Sequence, residues 1–293
     1  MTLPAVVLPP QPLSVPSRRR AHAAAAAGAL FVAAFVVLAL FGRHLAPYRP
    51  QALSGPSLGP PGPEHVLGTN LLGQDVLSQL VVGTRISVEV AVVAGMGSVA
   101  LGGLVGVTAG WFRGLVDVVL MRITDVVLVL PRLPLLLLVG ALTGGSVTAL
   151  SLLIAFAFWP LTARVLRSQV LTLRARTSVR ASAGFGAGAW HQLRRHVLPD
   201  LALLGVAELI PAAARAVVLQ AGLAFLGVGS VTQPSWGAMA RDAIGYRGLF
   251  VTSAWKWWLM PPVLAMVVLV TGITFLGTAA ERRLAPRVAR HAA

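Results

Sequence analysis

The sequence predicts an all-α polytopic membrane protein with six transmembrane helices, and three observations carry that expectation. Hydrophobic residues make up 56% of the chain and charged residues 11%, and the mean hydropathy is +0.80, too apolar for an ordinary soluble domain. Six windows approach the roughly 20 apolar residues that a helix needs to cross a bilayer. The formal charge of +15 comes from cationic residues that flank those windows, so it reads as an orientation signal and not as a nucleic-acid surface. With no cysteines, disulfides, thiolate metal sites and cysteine nucleophiles are all excluded.

The first window, Ala23 to Phe41, is uncharged and follows Arg18, Arg19 and Arg20. A signal-peptide core runs to about 7–15 residues and ends at a small-residue cleavage site. Here Phe41, Gly42, Arg43 and His44 follow, which predicts a retained anchor over 23–42 behind a disordered cytoplasmic tail, 1–22. Residues 43–85 form an extracytoplasmic segment in which 71–82 reads as an amphipathic helix lying at an interface. Gln74, Asp75, Ser78 and Gln79 share one face, and Leu72, Val76, Leu77, Leu80 and Val81 the other.

A core of five further spans occupies 86–281. The second span lies within Ile86 to Phe112, interrupted only by Glu89. Leu133 to Ala163 is uncharged for 31 residues, long for one helix and short for two. The break at Thr143, Gly144, Gly145 and Ser146 divides it into spans from Val116 to Leu142 and from Ser146 to Ala163. The fifth runs from Asp200 to Leu226, the sixth from Trp257 to Ala280, and 282–293 is a tail. With the N-terminus inside, 16 of the 24 cationic residues fall in cytoplasmic segments and 6 outside. That bias predicts both termini in the cytoplasm and makes 164–199 an intracellular loop.

Part of that loop, "TSVRASAGFGAGAWHQLRRHVLPD" (177–200), differs from a solvated connector. Ala181, Ser182, Ala183, Ala187 and Ala189 are small enough for a helix to enter a groove closely. Gly184, Gly186 and Gly188 each cost roughly 1 kcal/mol of helix propensity relative to alanine, so such a helix over 177–190 needs a partner. Pro199 suits the first turn of the next span.

"RASAGFGAGAWHQLRRHVLPD" resembles the EAA loop of ATP-binding-cassette (ABC) importer permeases: a Glu-Ala-Ala triplet, a glycine, then His-x-Leu-Pro. The triplet falls on Arg180, Ala181 and Ser182, the glycine on Gly186, and the ending on His196, Val197, Leu198 and Pro199. "EHVLGTNLLGQDVLSQLVVGTRIS" (64–87) and "AGLAFLGVGSVTQPSWGAMARDA" (221–243) are similar to the dipeptide, oligopeptide and nickel branch, and the match in order and spacing spans roughly 64–280.

The resemblance implies a type I ABC importer permease (MetI-like) core, multi-pass in the inner membrane. Its implied partners are a homologous second permease, two ATPase subunits, an extracytoplasmic solute-binding protein and membrane lipid. Arg180, Ala181, Ser182, Phe185, Gly186, Ala187, His196, Leu198 and Pro199 would couple to the ATPase, with ATP and Mg bound at the partner subunits and no cofactor on this chain. Gln74, Asp75, Gln79, Trp236, Arg241 and Asp242 become candidate contacts for the binding protein. The family's acidic first position is Arg180 here, and a cation at a helix N-terminus is opposed by the helix dipole.

The residue inventory agrees with a non-catalytic subunit. A phosphate-binding loop needs lysine followed by Ser or Thr, but the sole lysine, Lys256, precedes Trp257. The six histidines form no i, i+4 ligand pair, and the Gly-x-Gly run at 184–188 follows no strand. Pro234, Trp236, Tyr246, Trp255 and Lys256 suit a membrane boundary. Glu208 and Arg215, seven apart on the fifth span, either make a polar contact with the second permease or line the path; Arg122 and Asp125 can pair locally. A stand-alone secondary transporter or channel is the competing expectation, and it would carry coupling acids or a pore motif in its spans.

Overall fold

The computed structural model of the protein describes residues 18–230 and 232–290, with side chains for 26–230 and 232–277. Within that range the chain is helical. In order come α1 (Arg18–Leu45), α2 (Val76–Phe112), α3 (Gly114–Val129), α4 (Arg132–Leu142), α5 (Val147–Arg174) and α6 (Thr177–Gly184). Then follow α7 (Ala189–Gln192), a π-helical turn (Leu193–Val197), α8 (Leu198–Phe225), α9 (Trp236–Gly245), α10 (Trp255–Trp258) and α11 (Met260–Arg290). Extended pairing among the described residues is limited to isolated bridges of Leu53 with Gln74 and Thr69 with Asp75. Five helices are long and apolar enough to cross a membrane, and the bent pair α3–α4 supplies the sixth candidate span.

The most extensive helix contact is between α2 and α5, and glycine spacing explains it. Gly102, Gly106 and Gly110 recur every fourth residue, so they stack on one face of α2. A Cβ at Gly102 would sit 2.7 Å from Cβ of Thr162, one at Gly110 2.8 Å from Cβ of Val170, and one at Gly106 would collide with the Ala163 carbonyl oxygen. Small residues give apolar helices dispersion contact in a medium that offers little hydrophobic driving force. Gly28 does the same where α1 meets α11, facing the Gly272 carbonyl oxygen.

The expected third span is broken rather than straight. α3 and α4 meet at 82°. Pro131 lacks an amide hydrogen and disfavours helical backbone before it, and Leu130 is extended (φ −61°, ψ 133°). The surface helix expected over 71–82 is also corrected. Gly73, at φ +76°, holds a turn, and the helix starts at Val76 and runs without interruption into the second span. Its polar side faces inward, because the backbone of the preceding segment satisfies Gln79 and Asp75 caps the helix.

The loop expected over 164–199 is shorter than those limits. α5 continues to Arg174, and Ala189 to Phe225 is a 37-residue helical run through α7, the π turn and α8. Residues 1–17 of the expected tail lie outside the described residues, while 18–22 belong to α1. At the other end α11 continues to Arg290, and 291–293 lie outside.

Candidate functional site

At the end assigned to the cytoplasm, α6 stands on two helices. α5 extends 11 residues past Ala163, about 16 Å at the α-helical rise. A buried cluster of Trp111, Leu166, Val170, Leu173, Leu193, Val197 and Leu201 joins the ends of α2, α5, the π turn and α8. Arg174 Nη1 donates to the Trp111 carbonyl oxygen at 2.5 Å and its guanidinium lies 5.3 Å from the indole ring, while Arg176 pairs with Asp200 at 2.7 Å. α6 itself buries only Val179.

α6 ends sooner than the sequence suggests, at Gly184 rather than 190, in a Schellman motif. The Ala187 amide donates to the Ser182 carbonyl and the Gly186 amide to the Ala183 carbonyl, both at 3.0 Å, with Gly186 at φ +85°. Only glycine adopts that conformation without a steric penalty. Phe185, within this turn, is 92% exposed and Trp190, beyond it, 67% exposed, large apolar groups with little cover from their own chain.

At the opposite end, residues 46–75 form a cap secured by buried polar contacts. Asp75 accepts from the Ser78 amide and hydroxyl, each at 2.7 Å, and lies 2.9 Å from His65 Nδ1. Gln79 donates to the Pro50 carbonyl oxygen and to Gln74 Oε1. Trp257 Nε1 donates to the Thr69 carbonyl oxygen, and Gln51 to that of Thr232, tying the cap to the segment before α11. Between the two lies a groove of about 730 Å³ lined by Asn70, Leu72, Gln74, Arg241, Asp242 and Arg247 among others.

Residues 102–290 match the family described as the binding-protein-dependent transport system inner membrane component. The chain belongs to this permease family. It is 35% identical to a chain named as a peptide permease in Brucella suis biovar 1, over 82% of this chain and 80% of that one. It is 32% identical to the glutathione transport system permease GsiD of Pectobacterium atrosepticum, over 76% and 75% of the two chains. Identity to the nickel transport system permease NikC of Escherichia coli K12 is also 32%, over 90% and 94%. The protein is thus a multi-pass inner-membrane permease subunit of an ABC importer, a transport component and not an enzyme.

The permease gathers some predicted residues and separates others. Gln74, Arg241 and Asp242 line the outer groove. Asp75 (1% exposed), Gln79 (8%) and Trp236 (1%) lie beneath it as packing and capping groups, which removes them from the accessible surface of this chain. Trp236 donates to the Leu80 carbonyl oxygen and packs edge-on against Phe35. Around the α6 turn Arg180, Ala181, Phe185 and Gly186 are exposed, Ser182 and Ala187 partly so. His196, Leu198 and Pro199 sit apart from them, at the junction of the π turn and α8. His191 and His196 stack edge-on with ring centroids 6.4 Å apart, and no group of three metal-ligating side chains occurs among the described residues.

Two ion pairs join elements that the sequence analysis did not connect. Arg167 makes a two-point contact with Asp117, at 2.5 and 2.6 Å. Asp125, expected to pair with Arg122, lies 4.0 Å from it but 2.5 Å from Arg164. Both arginines are on α5 and both carboxylates on α3, so the helix that carries α6 also holds the broken span. No sequence signal marks pairs separated by 50 and 39 residues.

Proposed function

We propose that the permease forms, with a second homologous permease, the translocation path for a peptide or related small solute, with both termini cytoplasmic. Two ATPase subunits hold α6 and its glycine turn, binding ATP and Mg themselves, and a solute-binding protein docks over the outer groove. The observation that carries this reading is the exposed α6 turn: Phe185, which caps a helix of eight residues that buries one side chain, lies uncovered, as does Trp190 of the following α7. An isolated helix of that length is marginal in water, so the segment is suited to a cleft in another subunit.

In the mechanism this supports, closure of the ATPases on ATP displaces α6. Arg176–Asp200 and the cluster around Trp111 transmit the movement to α8 and α2. Arg167–Asp117 and Arg164–Asp125 pass it to the broken span. An apolar groove of about 1060 Å³ along α2 and α8, lined by residues such as Met96, Leu104 and Val206, suits a helix of the second permease. The peptide assignment follows the relatives' names, and the arginine bias supports the orientation.

The test is to tag the chain, solubilise the membrane gently, identify stoichiometric partners, and measure ATP hydrolysis with native Gly186 and with Gly186→Trp. A second permease and ATPase subunits should co-purify, with hydrolysis uncoupled or the ATPases lost in the variant. A chain that purifies alone and transports without ATP sinks the proposal.

A further inference from the structure

Where α4, α5 and α8 meet, two guanidiniums share one aromatic ring. Arg132, on the first turn of α4, lies 5.3 Å from the centroid of Phe158, and Arg215 of α8 lies 5.7 Å from it. Phe158 is 11 residues from the start of α5 and Arg215 10 residues from the end of α8. At the α-helical rise both are about 15–17 Å inside their helix ends, near the middle of a hydrocarbon core of about 30 Å.

A charge at that depth is expensive, and such residues face a bundle interior or a water-filled cavity and pair with something. Here the pairing within the chain is incomplete. Among the described residues neither guanidinium has a carboxylate at salt-bridge distance, and Arg215 Nε is buried without a hydrogen-bond partner. Arg215 lies within electrostatic range of Glu208 and also of the like-charged Arg132. Contact with a ring face steadies a cation but uses none of a guanidinium's N–H donors as an ion pair does. Both arginines are also partly exposed on this chain. Their open edges therefore need an acceptor, and lipid tails supply none.

We propose that Arg132 and Arg215 form a mid-membrane subsite for a carboxylate of the passing solute, with Phe158 setting their spacing. This rests on the permease reading given above and narrows it. The transported solute is anionic or zwitterionic, because a guanidinium presents paired donors that match a carboxylate and repels a free metal cation. The break at Pro131 serves the site by ending α3 and bringing Arg132 to the ring. Discontinuous helices recur at transporter binding sites near the midplane.

The test uses the complete complex of both permeases, ATPases and binding protein in proteoliposomes. The probes are trialanine and its C-terminal amide, each supplied on saturated binding protein so that upstream preference is removed. The native complex should import the acid about tenfold faster than the amide, the discrimination expected from one charge-assisted interaction. Arg215→Gln should bring that ratio toward one. Arg132→Gln, at the partly exposed start of α4, should do the same and serves if the α8 variant fails to assemble. An unchanged ratio in the variants overturns the subsite, as does equal loss of both probes, which would mark the arginines as contacts to the second permease. Native import of neither probe also overturns it, while ATP-coupled assembly would leave the permease reading intact. Failure of the native chain to assemble with ATPases counts against that broader reading instead.

Discussion

The two ends of the permease treat their polar and apolar groups in opposite ways. In the cap over residues 46–75 the polar groups near α2 are answered from within: Asp75 caps the helix and meets His65, Gln79 reaches the Pro50 carbonyl, and Trp236 is sealed against Phe35. The α6 turn and the α7 that follows leave Phe185 and Trp190 in the open, and α6 buries only Val179. One end is completed by its own sequence, while the other leaves large apolar groups uncovered. Exposure of large apolar groups is thus informative at α6, whereas polarity alone misleads at 74–79, where the polar residues are structural.

The comparison can be broken most severely through the scaffold that both ends share. Gly106→Leu forces a side chain into the Ala163 carbonyl, so a loss of about 3 kcal/mol is expected for overpacking, enough to remove folded permease from size-exclusion profiles. Full recovery of monodisperse protein would show that α2 and α5 can separate without harm. Next, Asp75→Ala removes the helix cap and strands His65, costing about 2 kcal/mol and lowering the melting temperature in detergent. An unchanged melting temperature would contradict a self-contained cap.

Phe185→Ala should do the reverse: the isolated permease melts as before, but affinity for the ATPases falls about tenfold, as for an interface anchor. A drop in melting temperature with native ATPase affinity would exchange the roles of the two ends. The smallest effect belongs to Arg180→Glu. Arg180 is exposed on α6, and a carboxylate there gains a few tenths of a kcal/mol from the helix dipole. If the ATPase meets Arg180 with an acidic group or carbonyls, the exchange weakens binding by about threefold despite that gain. Equal or tighter binding in titration would exclude such a complement.

Much of this architecture was present in local sequence. Hydropathy specified the helical class and, with the glycine break at Thr143–Ser146, the division into spans, because lipid leaves backbone polar groups no partner but their own helix. The turn at Thr143–Ser146 was also legible, since positive backbone angles favour residues without a Cβ, whereas the turn at Gly186 lay inside the helix expected over 177–190. Pro131 and the glycine spacing on α2 were visible signals whose consequences, a broken span and a close helix pair, the sequence analysis did not draw. What only the tertiary structure decided were relations between distant residues. They are the burial of Asp75 and Gln79, the pairing of Arg164 and Arg167 with α3, and the meeting of Arg132 and Arg215 at Phe158. The reason is physical: hydropathy and backbone preference act within a few residues along the chain. A charge or an amide takes whichever partner packing brings within about 3 Å, irrespective of its distance in sequence.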